Sequence, residues 1–111
     1  MSIKIERLAN AFTKEIGHIL KNEIKDENIK FITITATEIA SDLSLAKVYF
    51  TVLDNNNKIN TLNSLNKASR FIRKELCSRV DIRKMPELIF IYDESIEYGN
   101  RIERIISELN E

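Results

Sequence analysis

Apolar and polar residues alternate with two different periods along the first half of the chain. From residue 3 to residue 25, apolar side chains recur every three or four positions, which predicts an amphipathic helix with one buried stripe. Two stretches with a period of two follow, residues 31–39 and 45–53, and both are rich in the β-branched and aromatic residues that favour strands. The short polar break at residues 41–44 predicts that these strands form an antiparallel hairpin.

The alternation also predicts which side of each strand is buried. The first strand is expected to present aliphatic side chains to the core and threonines to the other face. The aliphatic set is Ile32, Ile34 and Ala36, and the threonines are Thr33, Thr35 and Thr37. Phe50 of the second strand and Phe90 of a later strand are expected in the core. Tyr49 lies on the opposite face of its strand and is the better candidate for an exposed, base-stacking contact.

A helical period returns from Ile59 to Val80. The segment is long enough for one helix, but Asn and Ser side chains between residues 63 and 69 compete for backbone hydrogen bonds. We therefore expect a kink or a two-helix break near residues 67–70. After a connection, Pro86 starts a third strand that ends at Tyr92, because a proline is tolerated at the first residue of a strand.

The apolar spacing beyond residue 95 predicts a C-terminal helix, so the element order is α-β-β-α-α-β-α. Because the strands alternate and each helix has a single apolar stripe, we expect the helices to cover one face of a three-stranded sheet. A chain of 111 residues fits one α+β domain. We place this domain at residues 1–95 and a C-terminal helical extension at residues 96–111.

The charges are segregated, although the chain is neutral overall. Residues 67–84 contain seven Lys or Arg and two acids, a local charge of +5. Residues 87–111 contain seven acids and two arginines, a local charge of −5. Basic side chains on a helix bind phosphates, but charged helix faces are also common on solvated surfaces, so the charges alone leave both interpretations open.

Several classes of function find no support in the sequence. The single cysteine, Cys77, excludes an intrachain disulfide and fits a reducing cytoplasm; we expect its thiol to be buried or half-buried. No apolar run approaches the roughly 20 residues that span a bilayer, and no secretory signal opens the chain. His18 has no partner at metal-ligand spacing, and no catalytic triad or glycine-rich phosphate loop is found. We expect a cytoplasmic protein that is not an enzyme, with no cofactor, membrane or small-molecule substrate.

The element order without the last helix is that of the type II KH domain, an RNA-binding fold. Five segments, spaced in order along essentially the whole chain, resemble the signature segments of the bacterial ribosome-binding factor A family. They are RLA at residues 7–9, KD at 25–26, SDLSLAKVY at 41–49, ASRFIR at 68–73 and RKMPELIFIYD at 83–93. The resemblance implies a ribosome biogenesis factor that binds the free small ribosomal subunit and its rRNA. It also implies that the protein assists late rRNA processing and subunit maturation without catalysis.

The family bends between two central helices at an Ala-x-Gly sequence, to which Ala68, Ser69 and Arg70 correspond here. The glycine is replaced by Arg70, for which a positive φ would cost roughly 1 kcal/mol or more. Two outcomes are therefore open: a milder kink, or an Arg70 that stays right-handed helical with the break at Ser69. The charge of Arg70 could instead add a phosphate contact.

The resemblance and the charge together select the surface of residues 67–84 as the RNA-binding site. The residues predicted to contact rRNA are Lys67, Ser69, Arg70, Arg73, Lys74, Arg79, Arg83 and Lys84. The expected partners are the small ribosomal subunit and its rRNA, bound by a monomer. The alternative is a protein–protein adaptor that does not bind RNA and uses its acidic C-terminal helix as the contact surface.

Overall fold

Two long helices pack against one face of a three-stranded sheet. The computed structural model describes residues 3–29, 31–53 and 57–95. In chain order the elements are helix α1 (Ile3–Asn22), a short 3₁₀ helix (Glu27–Ile29), strands β1 (Ile32–Ile39) and β2 (Leu45–Val52), helix α2 (Lys58–Arg79) and strand β3 (Glu87–Tyr92). The predicted α+β class and three-stranded sheet are confirmed. The predicted C-terminal helix falls on residues 96–111, which lie outside the described residues.

Strand β2 is the centre of the sheet. It pairs antiparallel with β1 and parallel with β3, so the predicted hairpin is confirmed. A parallel pair requires a long crossover connection, and α2 lies in that connection. At the hairpin turn Leu43 has a φ of 61°, and its N–H donates to the Ala40 carbonyl over 2.9 Å. The Asp42 carboxylate accepts bonds from the N–H and the hydroxyl of Ser44, at 3.0 and 2.6 Å, and these bonds brace the turn.

A β-bulge in β1 changes the burial of this strand. The pairing with β2 slips between Ile34 and Ala36, so Thr35 is the extra residue. Beyond the bulge Ala36 is exposed and Thr37 is buried, which makes the prediction for these two residues wrong. The reason is that one inserted residue moves every later side chain to the other face. The buried Thr37 hydroxyl is satisfied by Thr13 of α1, whose Oγ1 lies 2.9 Å away.

The extra residue of the bulge also joins β1 to the end of β3. The Thr35 hydroxyl donates to Oδ2 of Asp93 over 2.6 Å, and the Ser95 N–H and hydroxyl donate to Oδ1 of the same carboxylate at 3.0 and 2.5 Å. These hydrogen bonds, those from the side chains of Ser95 and Thr35 first, lower the pKa of Asp93. The charged form of Asp93 is therefore the one that the folded protein stabilises.

The core lies between the sheet and the two helices. Its fully buried side chains come from both helices and from β2 and include Phe12, Ile16, Ile19, Val48, Phe50, Leu65, Ile72 and Leu76. Phe90 of β3 is 4% exposed, so the prediction that Phe50 and Phe90 belong to the core is confirmed. Burial of alternate residues on β2 and β3 leaves Lys47 and Ile89 exposed on the opposite face of the sheet.

Helix α2 is continuous over 22 residues, so the two-helix break predicted near residues 67–70 is wrong. The two middle helices of the predicted order are one helix. Leu65, Ile72 and Leu76 are fully buried on both sides of the predicted break, and Ala68 packs against the same core. Burying a large aliphatic side chain contributes roughly 1.5–3 kcal/mol. A Ser or Asn in a helix costs only about half a kcal/mol relative to Ala, so packing outweighs the local preference.

Candidate nucleic-acid interface

Three cations form a row along the exposed face of α2. Lys67, Arg70 and Lys74 follow one another at spacings of three and four residues, and all three side chains are exposed. This spacing places them on one side of the helix, over about 10 Å along its axis. Because α2 packs its apolar stripe against the sheet, this row, which we call the helix row, faces solvent.

The connection between α2 and β3 carries two more exposed cations, Arg83 and Lys84. Buried Pro86 fixes the end of the connection, where β3 begins. The pKa of Asp42 in the hairpin turn is lowered mainly by its hydrogen bonds from Ser44, and more weakly by the positive charge of Lys84. Lys84 is therefore close enough to the turn to act on it electrostatically. We call Arg83 and Lys84 the connection pair.

Arg70 keeps a right-handed helical backbone. It lies inside the continuous α2, and within the described residues the one non-glycine residue with positive φ is Leu43. The right-handed backbone of the second outcome is therefore confirmed for Arg70, but the break at Ser69 that belonged to it is wrong, because α2 is continuous there. Ser69, the polar residue predicted to contact RNA, is half-buried and lies outside the helix row, about 100° around α2 from Arg70.

Arg73 points away from the helix row and towards the connection. Its side chain is half-buried, and Nη2 donates to the carbonyl oxygen of Met85 over 3.1 Å. Its Nε is buried and has no hydrogen-bond acceptor among the described residues. A buried guanidinium nitrogen without an acceptor is costly, so this placement calls for a reason.

Arg79 at the end of α2 is surrounded by carboxylates. Its guanidinium lies 3.4 Å from Glu15 and 3.7 Å from Glu23, both in or next to α1, and 3.8 Å from Glu75 one turn earlier. Of these partners only Glu75 is visible as a helical neighbour in the sequence, at spacing i,i+4. The contacts with Glu15 and Glu23 depend on how α1 and α2 pack against each other, which the local sequence pattern does not predict.

Tyr49, the candidate for a base-stacking contact, is half-buried and hydrogen-bonded to Glu38. The Tyr49 hydroxyl donates to Glu38 over 3.3 Å on the sheet face opposite the helices. The pKa of Tyr49 is raised, mainly by partial burial and then by the negative charge of Glu38.

Cys77 is exposed, so the prediction of a buried or half-buried thiol is wrong. It follows buried Leu76, and one residue turns the helix by about 100°, enough to bring Cys77 out of the stripe.

Neither a metal cluster nor a membrane span is found in the part of the chain that the structure describes. No group of three or more His, Cys, Asp or Glu side chains among these residues could hold a metal ion. No helix in the same part is long and apolar enough to cross a membrane.

A three-stranded sheet backed by two helices, with a row of exposed cations on the crossover helix, defines a small KH-like α+β domain. The chain belongs to the ribosome-binding factor A family, because a model of that family matches residues 4–106. The ribosome-binding factor A of Staphylococcus epidermidis is 51% identical over 110 residues, which cover 98% of this chain and 95% of that protein. That of Macrococcus caseolyticus is 46% identical over 111 residues, covering 99% and 97%. The family resemblance carried by the five segments is thus confirmed.

Solved structures show the same fold. A crystal structure of ribosome-binding factor A from Thermus thermophilus superposes with a TM-score of 0.71 at 21% identity, covering 79% of this chain and 93% of that one. A homology model of the Thermus thermophilus protein, fitted into a cryo-EM map of a 30S complex, gives a TM-score of 0.63 at 23% identity. It covers 86% of this chain and 97% of that one.

Proposed function

We propose that this protein binds the free small ribosomal subunit through its rRNA and assists late rRNA processing and maturation of that subunit. The observation that carries the proposal is the set of exposed cations on α2 and in the connection that follows it, namely the helix row and the connection pair. Family membership supports it, as does the relative that has been fitted into a 30S complex. The role is that of a cytoplasmic, monomeric binding factor, and the proposal includes no catalytic step, cofactor or small-molecule substrate.

The proposed contact is electrostatic. Lys and Arg side chains that neutralise phosphates release condensed counterions, so affinity falls as salt rises. Contacts of this kind fix position on RNA and carry little sequence information. The register on the subunit is then set by the shape of the rRNA and by the spacing of the cations. Release can follow from rearrangement of the rRNA during maturation, because separating the phosphates from the cations removes most of the affinity.

We propose that the eight predicted contact residues contribute unequally to RNA affinity. The helix row and the connection pair are exposed and available to phosphates. Ser69 is half-buried and uncharged, and it is proposed as a short-range hydrogen-bond donor. Arg79 shares its charge with three carboxylates, so we propose that it contributes less to RNA affinity than an unpaired cation does. Arg73 is half-buried and already donates to the Met85 carbonyl, so its contribution differs in kind from that of the exposed cations.

The test is co-sedimentation with purified small subunits over a range of salt concentrations. The test variant is Lys67→Gln/Lys74→Gln, which removes two charges from the helix row. Its control is Lys14→Gln/Lys21→Gln, which removes two exposed charges from α1. Each lost phosphate contact should flatten the dependence of log affinity on log salt by about 0.7–0.9, so the test variant should lose about 1.4–1.8 and the control nothing.

Equal slopes for the two variants would refute the placement of the interface on α2. Binding that is insensitive to salt, and lost when residues 96–111 are removed, would favour the adaptor function instead. The role in maturation is tested in cells that lack the protein, where unprocessed small-subunit rRNA should accumulate. The control variant should restore processing in those cells, and the helix-row variant should restore it poorly.

A further inference from the structure

We infer that Arg73 is a positioning residue, which sets the distance between the helix row and the connection pair rather than contacting RNA itself. This inference rests on the proposed function. The Arg73 side chain leaves α2 and reaches the backbone of the connection at Met85.

The Arg73 hydrogen bond reaches the connection at a point between two backbone hydrogen bonds that hold its ends. Backbone bonds flank the connection, from the Val80 N–H to Leu76 at the helix end and from the Glu87 N–H to Ser44 at the start of β3. Both are backbone–backbone bonds. The Met85 carbonyl lies between them, just before the β2–β3 ladder begins at Glu87.

A part-buried backbone carbonyl such as that of Met85 is stabilised by a hydrogen-bond donor. The Arg73 guanidinium supplies one over 3.1 Å. Met85 directly follows Lys84, so the bond fixes the backbone one residue from the connection pair. Arg73 itself is one residue before Lys74 of the helix row. One side chain therefore joins the two halves of the proposed surface.

Arg73 is a weak candidate for a phosphate contact, because its Nε is buried. That nitrogen has no acceptor among the described residues and is closed to solvent, so a phosphate could not reach it without movement of the side chain. The planar guanidinium presents several donors in fixed directions. The hydrogen bond to Met85 therefore fixes the orientation of the whole guanidinium relative to the connection.

The proposal is tested by a double-mutant cycle on small-subunit binding with the full chain. Arg73→Met is measured alone and in an Arg83→Gln/Lys84→Gln background, with the salt dependence recorded for each. The background variant should flatten the slope by about 1.4–1.8. If Arg73 acts through the connection pair, Arg73→Met should weaken binding severalfold in the wild-type background and have no further effect in the variant background.

A direct phosphate contact predicts something else. Arg73→Met would then flatten the slope by a further 0.7 or so in both backgrounds, and this additivity would overturn the inference. If Arg83→Gln/Lys84→Gln leaves binding unchanged while Lys67→Gln/Lys74→Gln weakens it, the positioning role fails and the proposed function stands. If neither pair affects binding, the proposed interface fails.

A second measurement needs no variant and covers the case in which Arg73→Met does not fold. Arginine-specific dicarbonyl modification, read by mass spectrometry, is applied to the free protein and to the protein on the small subunit. Arg70 and Arg83 should react quickly in the free protein and become protected on the subunit. Arg73 should react slowly in both states. Fast modification of Arg73 in the free protein would overturn the inference.

Discussion

Replacing Arg70 by glycine and by alanine tests whether α2 is one helix in solution. The two variants remove the same charge and relieve the same repulsion with Lys67 and Lys74, so those effects cancel between them. They differ in backbone freedom. In a right-handed helix Gly is about 0.8–1.0 kcal/mol less favourable than Ala, whereas Arg and Ala are close.

The size of the stability difference between the two variants follows from the position of Arg70. It lies in the interior of a helix that runs from Lys58 to Arg79, it is exposed, and it has no positive φ. Nothing in the packing compensates for the glycine, so Arg70→Gly should be about 1 kcal/mol less stable than Arg70→Ala. For a domain of this size the corresponding difference in Tm is about 4 °C.

The assay is urea unfolding followed by far-UV circular dichroism, with equal m-values required so that the midpoints report stability alone. Both variants should lose the same increment of salt dependence in small-subunit binding, about 0.7–0.9, because both lose one cation. If Arg70→Gly is as stable as Arg70→Ala or more stable, the backbone at residue 70 is not right-handed helical in solution. Burial of Leu65 and Ile72 would then not be sufficient to keep α2 continuous at Arg70.

Three further outcomes are expected. Arg79→Gln should reduce small-subunit affinity less than Lys74→Gln in a sedimentation assay, because three carboxylates already balance the Arg79 charge; an equal loss would contradict this. Ile72→Ala should cost about 2–5 kcal/mol in urea unfolding, whereas Ile59→Ala on the same helix, at a residue 72% exposed, should stay within about 0.5 kcal/mol. The lowered pKa of Asp93 means that its contribution to stability is full above the ordinary carboxyl pKa and is lost as pH falls through the lower folded value. Asp93→Asn should therefore flatten the acid limb of thermal stability, and an unchanged limb would argue against these hydrogen bonds.

Periodicity alone was sufficient to predict the main elements. The three- and four-residue spacing of α1 and the alternation in β2 each reflect burial of one face, and burial of one face is a local property of the sequence. The assignment of Phe50 and Phe90 to the core followed from the same property. The proline before β3 marked where that strand could begin. The family segments extended this to the KH-like fold, because they are spread in order along the chain.

Local preference failed where packing opposed it. Ser69 and its neighbours favoured a break in the helix, but Leu65 and Ile72 are buried on either side of it and Ala68 packs against the same core. The bulge at Thr35 could not be predicted from the sequence of the strand either. Aliphatic residues and threonines alternate strictly there, so the pattern is compatible with two pairing registers that bury opposite faces of the strand. Burial of Thr37 depended on the Thr13 hydroxyl, which only the packed α1 brings into reach.

The sequence by itself determined that residues 67–84 are basic and lie on or after a helix whose apolar stripe is buried. Only the tertiary structure decided which of those charges remain available to a partner. Arg73 meets the Met85 carbonyl and Arg79 meets carboxylates in or next to α1, whereas Lys67, Arg70 and Lys74 face solvent. The physical reason is that helical spacing fixes the side of the helix on which a cation lies, while its partners belong to segments distant in the chain, whose approach depends on how the whole core packs.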